Sequence, residues 1–79
     1  MLAETGRLAL TLRTMGFDAT VELEIDGDIG IRFSNQEELG RFVSEALRLL
    51  SGDELVRLGT GRLVTLNQRA ATLICDRAQ

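Results

Sequence analysis

The chain has 79 residues, enough for one domain but near the smallest size at which a core is self-sufficient, so we expect these residues to form a single domain. Apolar residues make up 44% of it and charged residues 27%, as in ordinary soluble proteins, and no apolar run reaches the ~18 residues of a membrane span. Nine arginines and twelve acidic residues give a net charge of −3, which argues against nucleic-acid binding. Histidine, lysine, tyrosine, tryptophan and proline are absent, which argues against most catalytic and metal-binding chemistry.

Apolar and polar residues alternate with period two over residues 7–34, which predicts three β-strands. The expected core-facing residues are Leu8, Leu10 and Leu12 in the first strand, Ala19, Val21, Leu23 and Ile25 in the second, and Ile29, Ile31 and Phe33 in the third. Two interpretations of Phe17 remain, one at the edge of the core and the other as an interface anchor.

Asp26-Gly27-Asp28 predicts the turn between the second and third strands. A three-residue loop places the apolar residues of both strands on the same face of the sheet, whereas a two-residue loop would place those of one strand on the opposite face. The resulting register pairs Ile25 with Ile29, Leu23 with Ile31, Val21 with Phe33 and Glu22 with Arg32. A preceding turn at Met15-Gly16 would pair Leu10 with Val21, Leu8 with Leu23, Arg13 with Asp18 and Arg7 with Glu24.

A helix of about 16 residues is predicted after the third strand, with Gly52 as its stop. Either Ser34 with Glu37 or Asn35 with Glu38 has the capping-box spacing at its start. The expected apolar stripe consists of Leu39, Phe42, Val43, Ala46, Leu47 and Leu50. The opposite, solvated face carries Glu37, Glu38, Arg41, Glu45 and Arg48.

A second hairpin is predicted beyond Gly52, with strands at 55–58 and 62–66 and a turn at Gly59-Thr60-Gly61. Residues 67–79 fit either a short helix capped by Asn67 or a turn followed by a strand over 71–76. β-Branched Thr72 and Ile74 favour the strand.

These elements predict an α+β fold in one domain, residues 1–79. We expect a small antiparallel β-sheet of order βββαββ, with a sixth short strand, covered on one face by a single amphipathic helix.

Cys75 is the sole cysteine, so no intramolecular disulfide forms, and we expect a buried structural thiol. The N-terminal residues lack the basic and apolar regions of a signal peptide. Both features favour a cytoplasmic location.

Three candidate chemical sites lack essential residues. Asp26, Asp28 and Glu37 have part of the spacing of a calcium loop, but Ile31 stands where that loop needs glycine. The Gly59-Thr60-Gly61 turn lacks the lysine and the following helix of a phosphate loop. Neighbouring carboxylates such as Glu22 and Glu24 are expected on the solvated face, whereas acid–base work requires one of the two carboxyl groups to be buried. We therefore expect no catalysis, metal or cofactor.

Acidic residues form two groups in the predicted registers, and these are the candidate protein-binding residues. Asp18, Glu37 and Glu38 fall at one end of the sheet, and Asp26 and Asp28 at the hairpin tip at the other. Arg57, Arg62 and Arg69 are expected elsewhere, on the second hairpin. Either group would present an acidic edge to a basic partner.

The run over residues 19–50, a hairpin followed by Phe33-Ser34-Asn35-Gln36-Glu37-Glu38-Leu39 and one helix, resembles small phage-encoded inhibitors of the anti-CRISPR type. The resemblance concerns architecture and covers about 40% of the chain. It implies a stoichiometric inhibitor that occludes a nucleic-acid-binding surface of a CRISPR effector complex, and it transfers no functional residue.

The function predicted is a non-enzymatic protein-binding domain, an inhibitor or adaptor docked on a larger protein, with no direct contact to nucleic acid or membrane. The alternative is a self-associating structural subunit, because a small sheet leaves edge strands that pair with another chain.

Overall fold

The computed structural model describes residues 4–50, 56–59 and 61–78. Its elements in chain order are α1 (Glu4–Thr14), β1 (Ala19–Leu23), β2 (Ile29–Phe33), α2 (Gln36–Leu49), β3 (Val56–Leu58), β4 (Leu63–Leu66) and α3 (Gln68–Arg77). The strands form an antiparallel sheet of order β1-β2-β4-β3. The predicted α+β class with an antiparallel sheet is confirmed, whereas the element order is αββαββα.

The first predicted strand is wrong, because its residues form α1. Leu8 and Leu12 are buried, and a spacing of four places two residues on one side of a helix as well as of a strand. Leu10 distinguishes the two structures, because a strand would place it on the same face as Leu8 and Leu12, whereas a helix turns it away from them. Leu10 is 50% exposed, as the helix requires. The cross-strand pairs expected for this segment are therefore absent, and Arg7 instead forms an ion pair with Asp76 of α3.

Gly16 ends α1 in a Schellman motif rather than joining two strands. The Phe17 amide donates to the Leu12 carbonyl at 2.9 Å, and the Gly16 amide donates to the Arg13 carbonyl at 3.0 Å. Gly16 has φ +91°, which glycine adopts without steric cost. The motif turns Phe17 into the core, where it is 7% exposed, so Phe17 is a core residue.

The β1–β2 hairpin forms, but with a register two residues from the predicted one. Leu23 pairs with Ile29, Val21 with Ile31 and Ala19 with Phe33, which leaves residues 24–28 as a five-residue loop. The Glu24 amide donates to the Asp28 carbonyl at 2.8 Å, and Gly27 adopts φ +89°. A shift of two preserves which residues share a face. Thr20 takes the place opposite Arg32, although Glu22 still reaches Arg32 diagonally, at 3.8 Å.

The predicted central helix is confirmed as α2, with Asn35 as its N-cap. The Asn35 side chain accepts a hydrogen bond from the Glu38 amide at 2.8 Å, so the second of the two capping choices is the one used. Phe42 and Ala46 are buried, but Leu47 is 74% exposed and does not belong to the core stripe. The expected stop at Gly52 lies outside the described residues.

The second hairpin is confirmed by the pairing of β3 with β4. The final segment is a helix, so the predicted sixth strand over 71–76 is wrong. Asn67 caps α3 by accepting from the Ala70 amide at 2.7 Å. The buried residues of α3 follow helical spacing, and they are Ala70, Ala71, Ile74 and Cys75.

The core lies between one face of the sheet and the helices α1, α2 and α3, so the expectation of a single covering helix is wrong. Residues of these helices pack with Ile29, Ile31, Phe33, Val64 and Leu66 of the central strands. The rings of Phe33 and Phe42 lie 5.1 Å apart, and Phe17 meets both edge-on. The single cysteine, Cys75, is a free, buried thiol.

The opposite face of the sheet carries mainly polar residues, among them Thr20, Glu22, Arg32 and Thr65. Glu24 crosses this face above Gly30, and its carboxylate accepts a hydrogen bond from the Thr65 hydroxyl at 3.0 Å. This contact buries Thr65, which is 7% exposed, and fixes Glu24 at the start of the hairpin loop.

Candidate functional site

The acidic residues predicted as a docking edge at the start of α2 do come together. Glu38 Oε2 accepts from the Asp18 amide at 3.4 Å, and Oε1 forms an ion pair with Arg41 at 2.9 Å. The carboxylates of α2's first turn also stabilise the positive end of the helix dipole. Asp18 and Glu37 are exposed, whereas only 21% of the Glu38 side chain is. Glu38 therefore has a structural role that accounts for its position.

The second acidic group, Asp26 and Asp28 at the β1–β2 hairpin, has less unpaired negative charge than the sequence suggested. Arg57 of β3 lies 2.7 Å from Asp28, so its expected placement away from this group is wrong. The strand order β2-β4-β3 explains the contact, because it brings β3 within reach of the residue that precedes β2. The Asp28 amide donates to Asp26 Oδ1 at 3.1 Å. Asp26 is thus the exposed carboxylate of this loop without an ion pair among the described residues.

Sequence patterns did not reveal that the same hairpin exposes two large apolar side chains. Leu23 is 63% exposed, and Ile25 is fully exposed. Both were expected in the core because the predicted three-residue loop placed them opposite Ile31 and Ile29. In the observed register, Leu23 is the last residue of β1 and pairs with Ile29, whereas Ile25 lies in the loop beyond the sheet. We call Leu23, Ile25 and Asp26 the tip surface.

The tip surface continues a sheet edge. β1 is the first strand in the order β1-β2-β4-β3 and pairs with β2 alone among the described strands. The outward backbone groups of such an edge are able to accept a further strand from another chain. An apolar tip and an unpaired edge therefore lie at the same side of the molecule.

A groove of about 630 Å³ lies where α2 meets the C-terminal ends of α1 and α3. Three arginines line it, Arg41, Arg48 and Arg77, together with apolar Met15, Phe17 and Leu49 and one carboxylate, that of Glu45. We call this the arginine groove. Apart from Phe17, which the sequence left open as an interface anchor, none of its residues was predicted as functional. The three arginines come from two helices whose packing the sequence pattern did not indicate.

Each arginine of the groove is held differently. The Arg41 guanidinium lies 4.7 Å from the centre of the Phe17 ring and donates to the Gly16 carbonyl at 3.2 Å. Arg48 forms an ion pair with Glu45 at 2.8 Å, and that hydrogen bond raises the pKa of Arg48 above its ordinary value. Arg77 donates to the Leu49 carbonyl at 2.8 Å and has no ion pair within the described residues.

The described residues contain no cluster of three or more acidic or cysteine side chains placed to hold a metal ion. None of the helices in that part of the chain is long and apolar enough to cross a membrane.

Comparisons with known proteins give no relative: the sequence matches no protein-family profile and no curated protein, and the fold matches no solved structure.

Proposed function

We propose that the chain is a non-enzymatic protein-binding domain that docks on a larger protein through the tip surface, as a stoichiometric inhibitor or adaptor. The observation that carries this proposal is the full exposure of Ile25 beside Leu23 and Asp26 on one hairpin. A single exposed apolar residue is common on protein surfaces, but here two lie close together at the end of an edge strand.

The energetics of the tip surface favour this role. Burial of one Ile or Leu side chain contributes about 1.5–3 kcal/mol, so a partner that covers Leu23 and Ile25 gains a substantial apolar contribution. Interfaces concentrate their binding energy in a few apolar anchors surrounded by a polar rim. Glu22 and Asp26 flank the apolar residues and provide that rim. Pairing of a partner strand with β1 would add backbone hydrogen bonds.

The proposal extends to the kind of partner, a protein with a basic surface such as a nucleic-acid-binding effector complex. Asp26, in the tip surface, is an exposed carboxylate that would face such a surface. A net charge of −3 is too small to imitate DNA, which carries one charge per ~1.7 Å, so inhibition would act by steric occlusion. A cytoplasmic location belongs to the same proposal and is supported by the free, buried Cys75.

An affinity capture from lysate of the native host cell, quantified for three tagged baits side by side, tests the proposal. The baits are the wild-type chain, Ile25→Asp and the control Leu47→Asp. Leu47 is the matched control because it is also a large exposed apolar residue, 74% exposed, but lies on α2.

We expect a protein retained at a fixed stoichiometry by the wild type and by Leu47→Asp, and lost with Ile25→Asp. Addition of the chain should also lower that protein's affinity for nucleic acid. Equal retention by all three baits would show that the tip surface is not the docking site, and an unchanged nucleic-acid affinity would exclude occlusion.

A further inference from the structure

The arginine groove and the tip surface have complementary chemistry. The tip surface combines the apolar side chains of Leu23 and Ile25 with the Asp26 carboxylate. The groove combines an apolar floor, which includes Met15 and Leu49, with guanidinium groups. Apolar side chains on both surfaces would contact each other, and the carboxylate of the tip would face guanidinium groups of the groove, whose own carboxylate, Glu45, is already paired with Arg48.

The complementarity extends to single charges. Asp26 has no ion pair within the described residues, and neither does Arg77, whereas Arg41 and Arg48 already pair with Glu38 and Glu45. The tip places its available carboxylate directly beside Ile25 in sequence. The groove places its available guanidinium against the backbone of Leu49, one of its apolar residues. An inserted Ile25 would thus bring Asp26 toward Arg77.

The tip surface of one molecule lies too far from the arginine groove of the same molecule to occupy it. The Gln68 side chain, at the first residue of α3, donates to the Gly27 carbonyl at 2.8 Å and so holds the tip at the N-terminal end of this helix. Arg77 is the last residue of α3. A helix of 10 residues spans about 15 Å, so the two surfaces lie at opposite ends of α3.

We propose that the arginine groove is the docking site for the tip surface of a second copy of this chain. Ile25 inserts between Met15 and Leu49, and Asp26 forms an ion pair with Arg77. The contact joins two different surfaces, so it is head-to-tail and each copy retains one open tip and one open groove. This inference rests on the proposed role of the tip surface in docking, and it names an occupant for the groove.

Sedimentation velocity of the purified chain over a range of concentrations tests the proposal. The weight-average sedimentation coefficient of the wild type should rise with concentration and pass the value of a dimer, because a head-to-tail contact does not close after two copies. Asp26→Arg alone and Arg77→Asp alone should each abolish this rise, since each places like charges at the contact.

Mixing the two variants provides the decisive arm of the experiment. In the mixture, the arginine introduced at position 26 of one variant faces the aspartate introduced at position 77 of the other, and this contact again joins opposite charges. Association should therefore return in the equimolar mixture, which also shows that both variants are folded. Arg13→Asp is the matched control, because Arg13 is exposed in the last turn of α1 and is not part of the groove, and it should associate like the wild type.

Three results would overturn the inference: a wild type that stays monomeric at every concentration, association that persists in Arg77→Asp, or a mixture that stays monomeric although the wild type associates. The outcome is separable from that of the proposed function. A monomeric chain whose host partner still requires Ile25 refutes self-docking alone, whereas self-association with a host partner indifferent to Ile25→Asp refutes the proposed function alone.

Discussion

Alanine substitution of Phe42 and Leu47 distinguishes the structure from the sequence pattern, which placed both in one core stripe of α2. Phe42 is 1% exposed, and its ring lies 5.1 Å from that of Phe33 and 5.9 Å from that of Phe17. Loss of a buried Phe side chain costs about 3–5 kcal/mol, and the two ring contacts place Phe42→Ala in the upper part of that range. Leu47 is 74% exposed, so Leu47→Ala should change the free energy of unfolding by less than about 0.5 kcal/mol.

The expected loss for Phe42→Ala is large for this domain. At about 0.05–0.15 kcal/mol per residue, a chain of 79 residues has a free energy of unfolding of about 4–12 kcal/mol. Phe42→Ala therefore removes a third or more of the total. Phe42→Leu, which leaves a smaller void, should lower stability by about 1–2 kcal/mol and keep the chain folded.

Urea unfolding followed by far-ultraviolet circular dichroism is the appropriate assay, because the chain has no tryptophan or tyrosine to report by fluorescence. The midpoint should fall for Phe42→Leu and stay at the wild-type value for Leu47→Ala, with similar slopes. A Leu47→Ala midpoint as low as that of Phe42→Leu would refute the assignment of Leu47 to the surface.

Three further substitutions test local features by the same unfolding assay. Asn67→Ala removes the N-cap of α3 and should cost about 0.5–2 kcal/mol, and an unchanged midpoint would contradict a helix at this position. Gly16→Ala should cost about 1–2 kcal/mol because of its positive φ alone, since no atom lies within 4 Å of an added Cβ; a stabilised variant would contradict the Schellman motif. Thr65→Val removes the hydrogen bond to Glu24 and should cost about 0.5–1.5 kcal/mol, whereas no loss would show that this contact does not fix the hairpin loop.

Local sequence signals predicted the parts of the fold that depend on local chemistry. Asn35 caps α2 at one of the two predicted positions, and the hairpin before and after the Gly59–Gly61 turn joins two strands as expected. The first predicted strand was wrong because the spacing of its apolar residues fits a helix as well as a strand. Leu8 and Leu12 satisfy both the helix and the strand pattern, and only the exposure of Leu10 separates them.

Tertiary contacts determined what local patterns were unable to predict. Thr72 and Ile74 favour a strand by intrinsic preference, but Asn67 and the buried pair Ala70 and Ala71 place them in α3. The hairpin register differs from the predicted one by two residues, and β2 also pairs with β4, more than 30 residues later in the chain, which local patterns did not indicate. The exposure of Ile25 follows from that register, so no local pattern indicated the tip surface.

Covalent capture from position 25 in living cells of the source organism tests most directly whether the tip surface is a docking site. A photoreactive benzoylphenylalanine replaces Ile25 in one variant and Leu47 in a second, and irradiation is followed by mass analysis of the cross-linked products. If the tip surface docks, a defined adduct should form from position 25 and none from position 47, and the added mass identifies either a larger protein or a second copy of the chain. Adducts of equal yield from both positions, or an adduct from position 47 alone, would contradict a docking role for the tip surface.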